Sequence, residues 1–276
     1  MLRRFLFSLL ILCSSPAMAQ RLDATPGDTP PGSSVTYRDL LGMLFTGLEE
    51  KGAGFSGKPN PGLRHIAGPG EGDEAPEMAA NISFTAVPVK AGRQDRLVVL
   101  IDIGSEGAMG YAIMALFSAG AAPKLLDAAN VSYDRMTGFH EPGVIPAGNG
   151  ETALVTTSGH FNSSQGYKIS PIILIRNDRL ELVDTVMMLD ELVCTHGRVQ
   201  TLTVATGAVY EPFADIVAAV TDTITPAEQG CGEGVTPPPA STRTLAVTYR
   251  WDAQQSKYLP DSDAFEALAK ENEQRF

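Results

Sequence analysis

Ser158, Gly159, His160, Phe161 and Asn162 form the most polar cluster beside a predicted strand end. A serine and a histidine two residues apart in a turn can share a site. With an orienting acid they are the parts of nucleophilic acyl chemistry, serine attacking and histidine taking its proton. Asp102, at the end of another apolar run, is the acid that an internal match would bring alongside. His65, in a Gly/Pro-rich stretch, is a second base. Ser158, His160, Asp102 and His65 are therefore the candidate catalytic residues, and His160, Asn162 and Gln165 the candidate ligand contacts. The plain reading of the cluster is a turn that contacts a ligand or only holds structure. Neither Ser105 nor Ser158 sits in a G-x-S-x-G elbow. The four histidines do not pair at i,i+2 or i,i+4 and no H-E-x-x-H occurs, so no metal centre is expected. No cofactor is expected.

Asp102-Ile103-Gly104-Ser105 resembles the D-[ST]-G-[ST] turn of aspartic proteases and the D-x-G phosphate loop of the actin and sugar-kinase superfamily. Both likenesses cover four residues. The protease chemistry needs two carboxylates, and the matching segment reads Thr157-Ser158-Gly159. The plain reading is a strand end whose aspartate accepts loop N–H groups.

The elements that position these residues repeat. VVLIDIG at 98–104 aligns with ALVTTSG at 153–159. A Gly-Tyr pair follows each, Gly110-Tyr111 and Gly166-Tyr167. Each tyrosine opens a hairpin that returns through LLD at 125–127 or LVD at 182–184. TLTVATG at 201–207 begins like a third unit. The units run about 96–131, 152–188 and 199–262 within a β-repeat domain of 78–262. Such a unit cannot bury its own face and must stack on its copies. The fold expected is mainly β: antiparallel strand/hairpin modules arranged as a propeller or a sandwich, with a short helix at each end. Asn177-Asp178 and Asp252–Gln255 mark tight turns.

Outside the repeats, Thr36 and Asp39 fit a capping box for a helix through Leu40, Leu41, Leu44 and Leu48. The Gly/Pro-rich remainder of 35–77 reads as a long loop and the first place to look for a lid. Residues 263–276 read as a C-terminal helix capped by Asp263, with Phe265 and Leu268 on its apolar face. Residues 20–34, QRLDATPGDTPPGSS, have the composition of a flexible linker.

Arg3 and Arg4, the apolar run 5–12, Pro16 and Ala17-Met18-Ala19 have the order of a secretory signal cleaved after Ala19. The apolar run is too short to cross a hydrocarbon core of roughly 30 Å. Cleavage would remove both arginines and leave 19 basic against 32 acidic residues, a formal charge of −13. That surface disfavours nucleic acid and anionic polymers. Cys194 and Cys231 remain, an even pair suited to one disulfide in an oxidising compartment. The expectation is a soluble periplasmic β-repeat module that binds an envelope protein or a cell-wall component, with no nucleic-acid partner and no membrane-spanning segment. The alternative is a periplasmic hydrolase working through Ser158 and His160.

Overall fold

The computed structural model describes residues 25–51, 54–60, 63–68, 83–106, 109–210, 212–227, 231 and 235–275. The segment read as an export signal lies outside them. The chain opens with helix α1 (Tyr37–Gly42), hairpin β1 (Phe45–Lys51) and β2 (Gly54–Pro59), and the short β3 (Arg64–His65). Twelve strands follow as three four-stranded meanders. The first is β4 (Ser83–Ala91), β5 (Gln94–Glu106), β6 (Met109–Ser118) and β7 (Leu125–Asn130). The second is β8 (Thr137–Gly148), β9 (Glu151–Asn162), β10 (Gln165–Arg176) and β11 (Arg179–Val193). The third is β12 (His196–Val209), β13 (Ala214–Pro226), β14 (Ser241–Asp252) and β15 (Lys257–Pro260), and helix α2 (Ala264–Glu273) ends the chain.

The first meander takes up β3 at its edge to make a five-stranded sheet; β8 to β15 run in sequence order through an eight-stranded one. The latter turns a corner at β11 and β12, which pair over only three residues, Glu191–Val193 against His196–Arg198. Beyond the corner it curls until β8 lies beside β12, where Thr206 Oγ1 donates to the Pro146 carbonyl at 2.6 Å. The Cys194–Cys231 disulfide, as expected, ties this corner to the loop after β13. The architecture is a stack of layers, sandwich-like rather than a ring.

Three cores lie between the layers, and successive side chains explain how. Val99 and Ile101 face α1 and β1, while Val98 and Leu100 face the opposite core with Leu154, Ile173 and Ile175. Ala153, Val155, Ile172 and Leu174 turn the other way, onto β12–β15 and α2. Strands covered on both faces read as unbroken apolar runs, which is what RLVVLIDI and SPIILIR are.

The repeat holds at the level of register. Tyr111 and Tyr167 are each the third residue of their strands, β6 and β10. Asp127 pairs with Leu116, the eighth residue of β6, and Asp184 with Ile172, the eighth of β10; a β-bulge follows at the same point in both pairs. Each aspartate also ties its module to the next layer. Asp127 Oδ2 accepts from the Leu180 backbone N–H at 2.8 Å and from Arg64 at 2.7 Å. Asp184 Oδ2 accepts from the Tyr249 hydroxyl at 2.6 Å. Burial, then this bond, pushes the Tyr249 hydroxyl pKa far up, so the tyrosine stays a donor.

Several sequence expectations need correction. The third copy is offset by one strand: TLTVATG lies in β12, the first strand of its meander, where its counterparts lie in second strands. Helix α1 ends at Gly42 rather than near Gly52, and its Thr36/Asp39 capping box is present. Leu48 belongs to the β-hairpin that follows and Leu44 to the turn before it; Gly47, at φ +65°, sits in a β-bulge of that hairpin. The stretch read as a loop therefore contains β2 and β3. Residues 25–34 are docked, not free: Pro30 is buried, and the Ser34 N–H and hydroxyl both donate to the Ala121 carbonyl. PFADIVAAVT, ambiguous by pattern, contributes most of its residues to β13. β8 carries no strand signal because Gly138, Pro142, Gly143 and Pro146 interrupt it, and Pro142 falls where the β8–β9 register shifts. Asp263 makes no side-chain cap bond.

Helix α2 is held instead by its buried Phe265 and Leu268 and by charge. Arg198, 2% exposed, donates to Asp222 and Glu271, and Arg243 reaches the same two carboxylates. Burial would raise the Glu271 carboxyl, but Arg243, Arg275 and Arg198 outweigh it and hold the pKa at about 2.

Candidate functional site

Strand β9 has a polar cluster at each end. The far end carries the residues singled out from sequence. Ser158 and His160 lie within β9 rather than in a turn, two residues apart on one face, and they do not meet. Ser158 is fully enclosed: its Oγ accepts from the Tyr133 N–H at 3.2 Å and lies 2.8 Å from Thr137 Oγ1. His160 pairs instead with Asp134, Nδ1 to Oδ2 at 2.7 Å. Asp134 is 3% exposed. It also accepts the Arg135 N–H at 2.6 Å and a bond from Tyr167, whose ring lies edge-on to His160 at 4.5 Å. Burial, then the Asp134 charge and hydrogen bond, raises the Tyr167 hydroxyl pKa.

The remaining sequence candidates have structural duties. Asp102 accepts the Gly104 N–H at 2.8 Å and the Thr137 N–H at 3.1 Å, the loop-holding role of the plain reading. His65 accepts the Ala67 N–H on Nδ1, so Nε2 carries the proton it donates to the Ser132 carbonyl at 2.9 Å. Residues 160–165 end β9, make a two-residue turn and begin β10, with Asn162 paired across the turn with Gln165. Asn162 is exposed, and the Gln165 amide donates to the Arg275 carbonyl at 2.8 Å. His160, Phe161, Tyr167 and Met136 edge a shallow pocket of about 270 Å³ with the Lys168–Asp190 ion pair. Among the described residues, no serine, threonine or cysteine side chain bonds to His160, and no group of His, Cys, Asp and Glu is arranged to hold a metal ion.

The near end of β9 holds the larger site, which sequence reasoning missed. A cavity of about 870 Å³ opens between the β4–β5 turn, the β6–β7 connection, the docked turn at Pro30 and the β8–β9 turn. Five prolines (Pro30, Pro31, Pro88, Pro123 and Pro146) and Val89, Leu97 and Val144 give it apolar walls. Its polar groups are few. Lys90 pairs with Asp95, and Arg96 donates to Asp178 at 2.8 Å.

Glu151 stands apart from them. The β8–β9 turn is Asn149-Gly150, both at positive φ, a tight turn that suits this dipeptide. A Cβ on Gly150 would lie 2.2 Å from the Gly92 carbonyl oxygen, so the β4–β5 and β8–β9 turns abut through bare backbone. Thr152 Oγ1 adds a bond to the Lys90 carbonyl at 2.8 Å. This contact sets Glu151 against Gly92, whose backbone donates to the carboxylate. The other oxygen, Oε2, is buried without a partner. Burial is the main cause of the raised Glu151 pKa; the Gly92 bond and the guanidiniums of Arg176 and Arg96 pull it back in part.

Pocket volume and composition are those of small-molecule sites: a few hundred to about a thousand Å³, apolar walls and few convergent polar groups. Comparison with protein-family models, curated proteins and solved structures finds no match to this chain. The fold is that of a mainly β repeat scaffold. Among the described residues, no helix is long and apolar enough to cross a membrane.

Proposed function

We propose that this chain is an exported, non-enzymatic binding module of the bacterial cell envelope that takes an apolar ligand between its layers. The observation that carries the reading is the proline-walled cavity of about 870 Å³. Prolines suit such a wall because they are stiff and give up no N–H groups that the cavity would leave unpaired. Export rests on the order of charge, apolar run and Ala17-Met18-Ala19. The disulfide at the β11–β12 corner agrees with an oxidising compartment.

The hydrolase alternative has less support. Its serine is enclosed and bonded elsewhere, and its histidine is oriented by Asp134 toward no identified nucleophile. What remains is an acid–base pair of the kind that also holds structure.

The test is a titration of the purified protein with the uncharged dye N-phenyl-1-naphthylamine, whose fluorescence rises in apolar surroundings. Saturable binding at one site is expected in the wild type. Ala119, exposed at the rim, becomes an obstruction in Ala119→Trp, which should lose the signal while melting as the wild type does. Absent or non-saturable binding in the wild type overturns the reading. The mass of the protein from the envelope fraction tests export: it should begin at Gln20.

A further inference from the structure

We infer that the cavity selects an amphiphile with an amine head, its apolar body against the proline wall and its ammonium group paired with the Glu151 carboxylate. This rests on the reading of the cavity as a binding site and names what enters it.

The argument is one of an unpaired charge. An ionised carboxylate is an acceptor only, with room for several donors. Gly92 supplies one of them. Oε2 is enclosed by protein and has none, so the ionised group is poorly solvated. The neighbouring charges are already committed. Lys90 holds Asp95, Arg96 holds Asp178 and Gln94, and Arg176 holds Glu181 with two bonds at 2.9 Å. Among the described residues, Glu151 is the one charged residue of the cavity wall in no ion pair. A cation in the cavity supplies the counter-charge that the carboxylate lacks, and one that can also donate gains most because a charge-assisted bond is stronger than a neutral one. A carboxylate head would meet an acceptor where it needs a donor. The strongly negative net charge favours arrival of a cation over an anion.

Competition against the bound dye tests this with three probes of one chain length: dodecylamine, dodecanol and dodecanoate, each below its micelle threshold. The amine should displace the dye at a concentration about tenfold lower than dodecanoate, a difference of one charge-assisted bond. Dodecanol should fall between them. In Glu151→Gln, which keeps shape and loses charge, dye binding should persist while the amine and the acid come within about twofold of each other. A wild type that binds dye but takes dodecanoate as well as dodecylamine overturns the inference and leaves the cavity reading standing. The same holds if Glu151→Gln keeps the full preference. A wild type that binds neither dye nor any probe overturns both. The wild-type comparison needs no variant, so a poorly folded Glu151→Gln would not rescue the idea.

Discussion

The two ends of β9 each hold a carboxylate oxygen away from water and treat its group oppositely. At the far end Asp134 is surrounded by donors: the Arg135 N–H, His160 Nδ1 and Tyr167. At the near end Glu151 has one backbone donor, and its second oxygen has nothing. The first cluster is closed, with only a shallow pocket of about 270 Å³ beside it; the second opens on a cavity about three times larger. A saturated cluster is a device for holding layers together, whatever its resemblance to catalytic parts. An acid in no ion pair on an apolar cavity wall offers an arriving cation a partner.

Substitutions can break that contrast, and the largest effect is expected at the near end. Gly150→Ala forces a side chain into a positive φ and within 2.2 Å of the Gly92 carbonyl oxygen. Backbone strain and overpacking together should cost about 3–5 kcal/mol in denaturant unfolding. Dye affinity should fall as well, because the abutting turns set the cavity end. Unchanged stability would mean that the two turns do not hold each other. Asp134→Ala comes next. It leaves three donors unmet in a buried site, at a cost of about 2–3 kcal/mol, and should leave dye binding unaltered. A loss of dye binding in a variant that still folds would join the two ends that are separated here.

Glu151→Gln should move stability the other way. Burial raises the Glu151 pKa, so the folded state holds that proton more tightly than the unfolded chain does. The contribution is favourable below the unfolded glutamate pKa, about 4.3. It is lost as pH rises through the folded value, because the ionised form is poorly solvated. Glutamine removes that penalty. The variant should melt about 1–2 °C above wild type at pH 7, and the gap should close near pH 4. A variant less stable than wild type at pH 7 would mean the carboxylate already has a partner in the free protein.

Much of the fold was legible because local chemistry and tertiary demand agree. Asn177 and Asp178, at φ +52° and +59°, make the turn that their types favour. Asp252 accepts the N–H groups of Gln254 and Gln255 at the expected last hairpin. The Tyr and Asp positions of the repeat recur because they mark the same strand start and the same bulge. β8 was not legible, since the ladder tolerates its prolines at irregularities that sequence does not announce. Asn149-Gly150 is a strong hairpin signal, but only with β8 recognised does it become a turn between strands. The cavity was invisible for a different reason. Its walls come from Pro30, Pro88, Pro123 and Pro146, scattered residues that each read alone as a linker or strand breaker. Only the stacking of two meanders brings them together, and only the Gly92–Gly150 approach aims Glu151 there. Asp134 escaped notice in a turn-rich connection between units, so the nearby Asp102 was assigned the partner role that Asp134 holds.

The smallest effect is expected where the sequence pointed first. Asn162 closes the β9–β10 turn opposite Gln165, and its side chain is exposed. Among the described hydrogen bonds it makes none through its amide, whereas Gln165 is fixed to the Arg275 carbonyl and His160 to Asp134. Exposed substitutions away from caps, bulges and buried networks stay within about 0.5 kcal/mol. Asn162→Ala should therefore unfold as wild type does and bind dye and dodecylamine as wild type does. Paired with His160→Ala, it separates architecture from recognition at this end. His160→Ala removes a donor to Asp134 and should lower stability by about 1 kcal/mol, yet it too should leave the cavity's ligand preference intact. If either variant shifts the amine-to-acid preference, recognition extends along β9 to both of its ends. If Asn162→Ala alone abolishes capture of an envelope partner while stability and dye binding hold, the turn is a second, protein-facing surface on the same strand.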